Sequence, residues 1–587
     1  MFKVVSSLLL LALSAPVIAQ PEYSIGATLD SAQYMDVAKI PPLARGDYDD
    51  LPNAVSLKKY LPPVGDQGRA GSCVGWSSVY AARTLAEKRR LDLSIPQRQL
   101  NEPFSPAYVY NQIKLNPNGC DDGSYISRAL KLLKREGVLP LREFPYTDKA
   151  CHRQPTSSER SRAGAFKIAD YRRLSSSQYR SSAHISARKA LSRGNPVVIG
   201  MLVGETFMRH RGSAAVKFKN RDYRALENSQ RDGYGGHAMT VIGYDDKKFG
   251  GAFELVNSWG KDWGNRGFAW LSYKDYNLWV LESYELIPPL ASKPKPKKKE
   301  PPNIRASLSF IDFSSEQLPL QRRDAQAWIQ RPMHSGERFR AQIKVAQKSY
   351  VYVIGTDRDS AEHVALFPHR QASSAFIGAG ETLLLPGPTE QYFSQLNRVE
   401  GVDYFVLLTS LKPLNVQPLL QQLNSAREPQ IHKRLQRVLG DKLVFNTASQ
   451  VPGQLTGRLK ADQVLGEVIS IDHRAAKAPA EDTQAPLIVI TQPEMPPSTS
   501  SSEIVEVVPA ADGLLTLLGR AQDSSALQEV SVSGALETKF SSRGAFKALL
   551  DLSQLSPGEL QELDISATDS FGNRQQTTLK IRRASHD

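Results

Sequence analysis

In residues 74–91 the apolar and small residues Val79, Ala82, Leu85 and Ala86 recur at helical spacing, and the run ends in Glu87-Lys88-Arg89-Arg90. That pattern predicts an amphipathic helix with a polar C-terminal end. ISRALKLLK at 126–134 predicts a second, stopped at Gly137. Further along, the period changes: 238–244, 253–257 and 267–273 are short β-rich runs between Gly and Asp turns. Helices followed by an antiparallel sheet predict an α+β arrangement of two lobes.

Beyond residue 303, runs at 339–345, 350–355, 363–367, 382–385 and 403–409 read as strands, with one helix expected over 416–439. This mainly-β segment has no cysteine, and its histidines (His334, His363, His369, His432, His473) show no ligand spacing. The last segment contains LIVIT, EIVEVV, EVSVSG, FKALL, LDISATD and TTLKIRR, short strands at sandwich spacing. Its ending, ISATDSFGNRQQTTLKI, resembles bacterial immunoglobulin-like domains, in which Asp-x-x-Gly-Asn makes the last hairpin turn. Pro/Lys-rich ASKPKPKKKEPP and a later stretch rich in Ala, Pro, Thr and Ser mark linkers. The expected order is a lead-in segment 20–49, an α+β domain 50–290, a linker 291–302 and a mainly-β domain 303–476. A linker 477–503 and a β domain 504–587, or from about 485, complete it.

At 587 residues a single compact core is excluded. Net charge is 74 − 60 = +14, but the first linker alone, with five lysines and one glutamate, carries +4 without interleaved aromatics. Nucleic acid is therefore not an expected partner. Residues 1–19 read as a signal peptide: Lys3, an apolar stretch 4–13, then Val17-Ile18-Ala19 before Gln20. The stretch is too short to span a membrane and no later segment approaches ~20 apolar residues, so a secreted or periplasmic protein without a transmembrane segment is expected. Three cysteines exclude a disulfide-rich scaffold and a zinc-finger array. An odd count in an oxidising compartment leaves one thiol in need of a reason.

Cys73 follows the Gly-rich bend GDQGRAGSC and starts the predicted helix, where the positive end of the helix dipole favours thiolate. His237 heads a β run after Gly235 and Gly236, and Asn257 follows 20 residues later beside Trp259. Thiol acyl transfer needs a thiolate, an imidazole to pair with it and a group that orients the ring. GDQGRAGSCVGW, GGHAMTVIGYDD and LVNSWGKDWGNRGFAWLSY together resemble the signature blocks of papain-like cysteine peptidases, over residues 50–285. The resemblance implies a two-lobed papain-like domain with Cys73 as nucleophile, His237 as general acid/base and Asn257 as orienter. Gln67 matches the oxyanion-hole glutamine, and Trp259 the indole shielding the His/Asn contact. The resemblance further implies that Gly123 is the position pairing with an extended peptide and that Ser124 and Tyr125 would line the main pocket, near Gly200 and Ala238. The expected partner is a polypeptide substrate, with no cofactor or metal.

The departures are specific. Ala70 replaces the cysteine that normally bridges to a Gly-Cys-x-Gly-Gly block, here degenerate as Gly119-Cys120-Asp121-Asp122-Gly123. Cys120 with Cys151 is the alternative bridge. Val74 stands where the family has Trp, with Trp76 placed to fill the volume. The 164 residues from Cys73 to His237 are slightly more than the family spacing, and 211–231 is expected to hold the excess as a surface loop. Gly235 and Gly236 are expected to leave the site open. The short 20–49 segment predicts a lead-in strand and no helical pro-domain. Two other functions fit the same residues: a catalytically impaired adhesion or scaffold protein binding a cell surface or protein partner through its β modules, and an acyl-transfer enzyme with the same triad.

Overall fold

The computed structural model describes residues 23–583, apart from 93–101, 176–182, 290–302, 476–484, 493–503 and breaks of one to six residues elsewhere. The signal peptide, the first linker and the second linker apart from 485–492 lie outside the described residues. Within 485–492, Leu487–Gln492 is a strand that pairs with Leu514–Gln522 of the last segment, so that segment begins near 485. Among the described residues no helix is long and apolar enough to cross a membrane.

The helical lobe is built on a continuous run that starts at Cys73 (Cys73–Gly75), becomes π-helical over Trp76–Arg83 and ends as Thr84–Asp92. Eight residues of π-helix are unusual, and such widened turns concentrate at functional sites. Pro106–Ile113 and Ile126–Arg135 pack beside it. In Ile126–Arg135 the residues Ile126, Ala129, Leu130 and Leu133 are buried while Arg128 and Lys131 face out, so the 3.6-residue period dictates which face packs. Trp76 is buried and meets Tyr80 and Tyr146 at ring-centroid distances of 4.6 and 4.9 Å.

The second lobe is an antiparallel sheet in the order Asp170–Arg173, Val280–Ile287, Val197–Val203, Gly235–Asp245, Ala252–Val256, Phe268–Ser272, with Ala54–Ser56 pairing Gly235–Asp245. Val197–Val203 is buried at every position, as a central strand covered on both faces must be. Residues 211–219 form a largely exposed loop, as expected, but β-bridges pin it at Arg211 and Ala215, and helix Asn220–Glu227 follows. Val216 and Tyr223 are buried in the sheet's core. The aromatic and aliphatic residues spaced through this polar stretch supply the packing.

The second segment pairs nine- and six-stranded sheets around a shared core, with helices Val416–Ser425 and Ile431–Leu439 on the outer face of the larger one. The single helix expected over 416–439 is thus two; Pro429 between them cannot continue the i→i−4 ladder. The last segment has two four-stranded sheets around one core, and Asp569 Oδ1 accepts from Asn573 N (2.9 Å) in its final turn.

The first two segments are in direct contact. Ile287 packs in the core beneath the two helices, and Arg172 donates to the Phe376 carbonyl (2.8 Å). Arg193 sits between Glu285 and Glu381 of the second segment. Burial opposes ionisation of Glu285, yet Arg172 (2.7 Å) and Arg193 (3.2 Å) hold its carboxyl down at about 2.

Candidate functional site

The two lobes bring the sequence-expected residues together. Cys73 opens its helix from the first lobe; His237 lies on Gly235–Asp245 and Asn257 just after Ala252–Val256 in the second. Cys73 is the free cysteine among the described residues, and both it and His237 are fully buried. Asn257 Oδ1 accepts from the Ser258 backbone N–H (2.7 Å), which fixes the amide's orientation, and lies 2.7 Å from His237 Nε2. Nε2 must then carry the proton. The lone pair is left on Nδ1, a buried atom with no hydrogen-bond partner. Trp259 stacks on the imidazole at 4.3 Å and 23°. Gln67 is held by Ser258, whose Oγ donates to Oε1 (2.7 Å) and whose carbonyl accepts from Gln67 N (2.8 Å). Ser258, absent from the sequence-based set, positions both amides and is readable only as the residue after Asn257.

The cleft is not open. Residues 23–30 of the lead-in run through it. Tyr23 stacks on Trp259 (4.8 Å, 12°), the indole that also stacks on His237. The Ser24 carbonyl accepts from Gln67 Nε2 (3.1 Å) and Trp259 Nε1 (2.8 Å). Gly26 O accepts from Ser124 N (2.9 Å), Ala27 N donates to Gly236 O (3.0 Å) and Thr28 N to Ser124 O (3.0 Å), in a parallel bridge. Four glycines make this contact possible. A Cβ at Gly26 would meet Gly71 O at 2.1 Å, one at Gly123 (φ +75°) would meet Gly26 O at 2.3 Å, one at Gly235 would meet Ile25 at 2.0 Å, and one at Gly236 would meet Ala27 O at 1.9 Å. The openness expected from Gly235 and Gly236 is therefore filled from within the chain. Leu29 fills the space over Gly200, while the Tyr125 ring lies instead under Arg128 (4.6 Å).

This filling sets the electrostatics. Burial pushes the Cys73 thiol up to about 12, partly offset by hydrogen bonds from Ala238, Gly26 and nearby backbone amides. Burial pushes the His237 imidazole down to about 4, against its bond to Asn257. Both groups are neutral at pH 7, so the closed form holds a thiol and an imidazole rather than an ion pair. The Gly26 backbone N–H is directed at the sulfur.

Glu282 lies beneath the same segment: Oε1 accepts from Asp30 N (2.8 Å) and Oε2 from Tyr284 Oη (2.9 Å). Burial raises its carboxyl from 4.5 to about 7. A pKa higher in the folded than in the unfolded chain contributes stability below pH ~4.5 that is lost as pH rises to about 7. Glu282→Gln keeps one oxygen to accept from Asp30 N, places an amide donor toward the Tyr284 hydroxyl and removes the titration. It is expected to melt higher than the parent at pH 8, by about 2–3 kcal/mol, with the difference vanishing near pH 4.5 in thermal unfolding.

Cys120 and Cys151 are joined by a disulfide (Cα–Cα 5.7 Å). His152 has a ring nitrogen within 4.8 Å of both sulfurs, but sulfurs bonded to each other offer no thiolate to a metal.

A family model described as papain family cysteine protease matches residues 51–288, and one described as a domain of unknown function, DUF4384, matches 333–413. Mouse cathepsin K is 26% identical over 270 residues, covering 44% of this chain and 73% of that protein. An uncharacterized peptidase C1-like protein of Acanthamoeba polyphaga mimivirus is 26% identical over 289 residues, covering 46% and 86%. Xylellain, a cysteine protease from Xylella fastidiosa with a solved structure, is 24% identical with a TM-score of 0.37, covering 46% of this chain and 97% of that one. Residues 51–288 are therefore a papain-family cysteine protease domain, and its relatives support a cysteine peptidase.

Proposed function

We propose that the domain hydrolyses peptide bonds through Cys73, His237 and Asn257, and that the folded chain is a latent form closed by its own residues 23–30. The observation that carries this reading is the Ser24 carbonyl: a peptide oxygen already accepts from Gln67 Nε2 beside the buried Cys73 and His237. Once the lead-in leaves, water returns to both groups and the thiol proton passes to His237 Nδ1. The thiolate attacks the substrate carbonyl carbon, and the oxyanion is held by Gln67 Nε2 and the Cys73 backbone N–H. Collapse breaks the C–N bond as the imidazolium protonates the departing amine. His237 then deprotonates a water that attacks the thioester, releasing the acid and restoring the thiol. Asn257 keeps the ring in the tautomer that this sequence needs.

Export is supported by the N-terminal signal pattern and by the disulfide, which an oxidising compartment sustains. The paired four-stranded sheets at the C-terminus support an immunoglobulin-like module that binds a surface or protein partner.

An epoxide inhibitor directed at thiol peptidases tests the reading. It should modify Cys73 slowly in the intact chain and quickly once residues 20–30 are trimmed. No modification of the trimmed chain at pH 6–7 would leave an impaired scaffold as the better description. Product analysis with added amine separates hydrolysis from acyl transfer.

A further inference from the structure

The lead-in does not end at the cleft. Helix Ser31–Met35 follows, capped by Asp30, with Tyr34 buried and bonded to Ser175 Oγ (3.0 Å) and Ser283 O (3.2 Å). Next the chain passes between the two segments. Arg173 Nε donates to Val37 O (2.9 Å) and Ile40 N to Arg173 O (3.0 Å) on one side; Ser374 N donates to Lys39 O (2.9 Å) on the other. Finally it lies along strand Thr382–Leu385 of the second segment: Leu384 N donates to Pro42 O (2.9 Å), Ala44 N to Thr382 O (2.8 Å) and Thr382 N to Asp47 Oδ2 (2.7 Å). Leu43 and Tyr48, 1% and 6% exposed, enter that segment's hydrophobic core beside residues such as Leu383 and Ile343. Gly387 completes the seat, since a Cβ there would stand 2.3 Å from Pro42 Cβ.

We propose that this edge of the second segment is a peptide-binding site whose ligand is the chain's own residues 37–48, and that by holding them it keeps residues 23–30 in the cleft. The inference rests on the reading that residues 23–30 close the site. A strand edge offers unpaired backbone groups to an extended peptide, and buried side chains at intervals set which peptide it accepts. Here the backbone bonds cluster at Pro42, Ala44 and Asp47 and the anchors are Leu43 and Tyr48. Because the same strap carries both ends, fixing one raises the effective concentration of the other at the cleft. Ser31, Ala32, Met35 and Asp36 between the two ends are exposed, so the strap can be cut without entering either site.

Three full-length variants test the proposal by the rate at which the epoxide modifies Cys73. In the first, a site for a specific protease is inserted between Met35 and Asp36 and cut. In the second, Gly387→Val pushes Pro42 off the edge from the side of the second segment. The third, Gly26→Val, disturbs the plug itself. Cutting the strap and Gly387→Val should each raise the rate about tenfold or more. If both stay at the intact-chain rate while Gly26→Val is fast, the tether is overturned and the closure stands. If Gly26→Val is as slow as the parent, the closure reading itself fails. Should Gly387→Val lose its cooperative melt, the cut chain alone decides the question.

Discussion

In a chain whose cleft has been opened, replacing His237 with alanine lowers kcat/KM for peptide hydrolysis about 100- to 10,000-fold, the range that a positioned general acid/base contributes. The loss is large because one imidazole serves both half-reactions, taking the thiol proton and delivering it to the amine. Its Nδ1 is the buried nitrogen left with a lone pair once Asn257 has claimed Nε2. Asn257→Ala should cost less, since it removes orientation and leaves the base. A pH–rate profile separates the two roles. Asn257→Ala keeps a bell-shaped profile at reduced height, whereas His237→Ala loses the limb that belongs to the imidazole.

The second large effect runs the other way. Gly26→Val, a change outside the protease domain, should raise peptide hydrolysis by the intact chain tenfold or more. A Cβ at residue 26 would meet the Gly71 carbonyl oxygen at 2.1 Å, and backbone on both sides leaves no flexible side chain to yield. The segment must lift, taking with it the Gly26 carbonyl that caps Ser124 N and the Gly26 N–H facing the sulfur. A shift of about 1.4 kcal/mol in the closed-to-open balance is already tenfold in the open population. Hydrolysis of an unstructured protein, compared between the parent and Gly26→Val at equal concentration, reads this directly.

The catalytic blocks were legible because they are contiguous. GSC before a helical period, GGH before a β period and NSW after one each name a residue and its element, and the three elements meet as the α+β pattern requires. The strands at 238–244 and 253–257 emerged within a few residues of Gly235–Asp245 and Ala252–Val256, since burial on one or both faces imposes the pattern. What was not legible is the plug. Residues 23–30 have no hydrophobic period, and they are held through backbone groups of Ser124 and Gly236, about 100 and 210 residues away, to which side-chain identity is silent. The trace in the sequence was steric: Gly26, Gly71, Gly123 and Gly236 are small because backbone approaches backbone there. The strap beyond it was hidden for a related reason, as Leu43 and Tyr48 belong to a core otherwise built after residue 303. The break between Val416–Ser425 and Ile431–Leu439, in contrast, was readable in Pro429.

The central claim is that the Cys73 sulfur attacks the carbonyl carbon of a peptide. Acid quenching of Gly26→Val during turnover of an activated peptide ester, followed by peptide mapping, tests it without reference to any natural substrate. A single acyl adduct on Cys73 that disappears in Cys73→Ala is the expected result. Steady hydrolysis with no adduct on Cys73, or an adduct on another residue that survives Cys73→Ala, would contradict it.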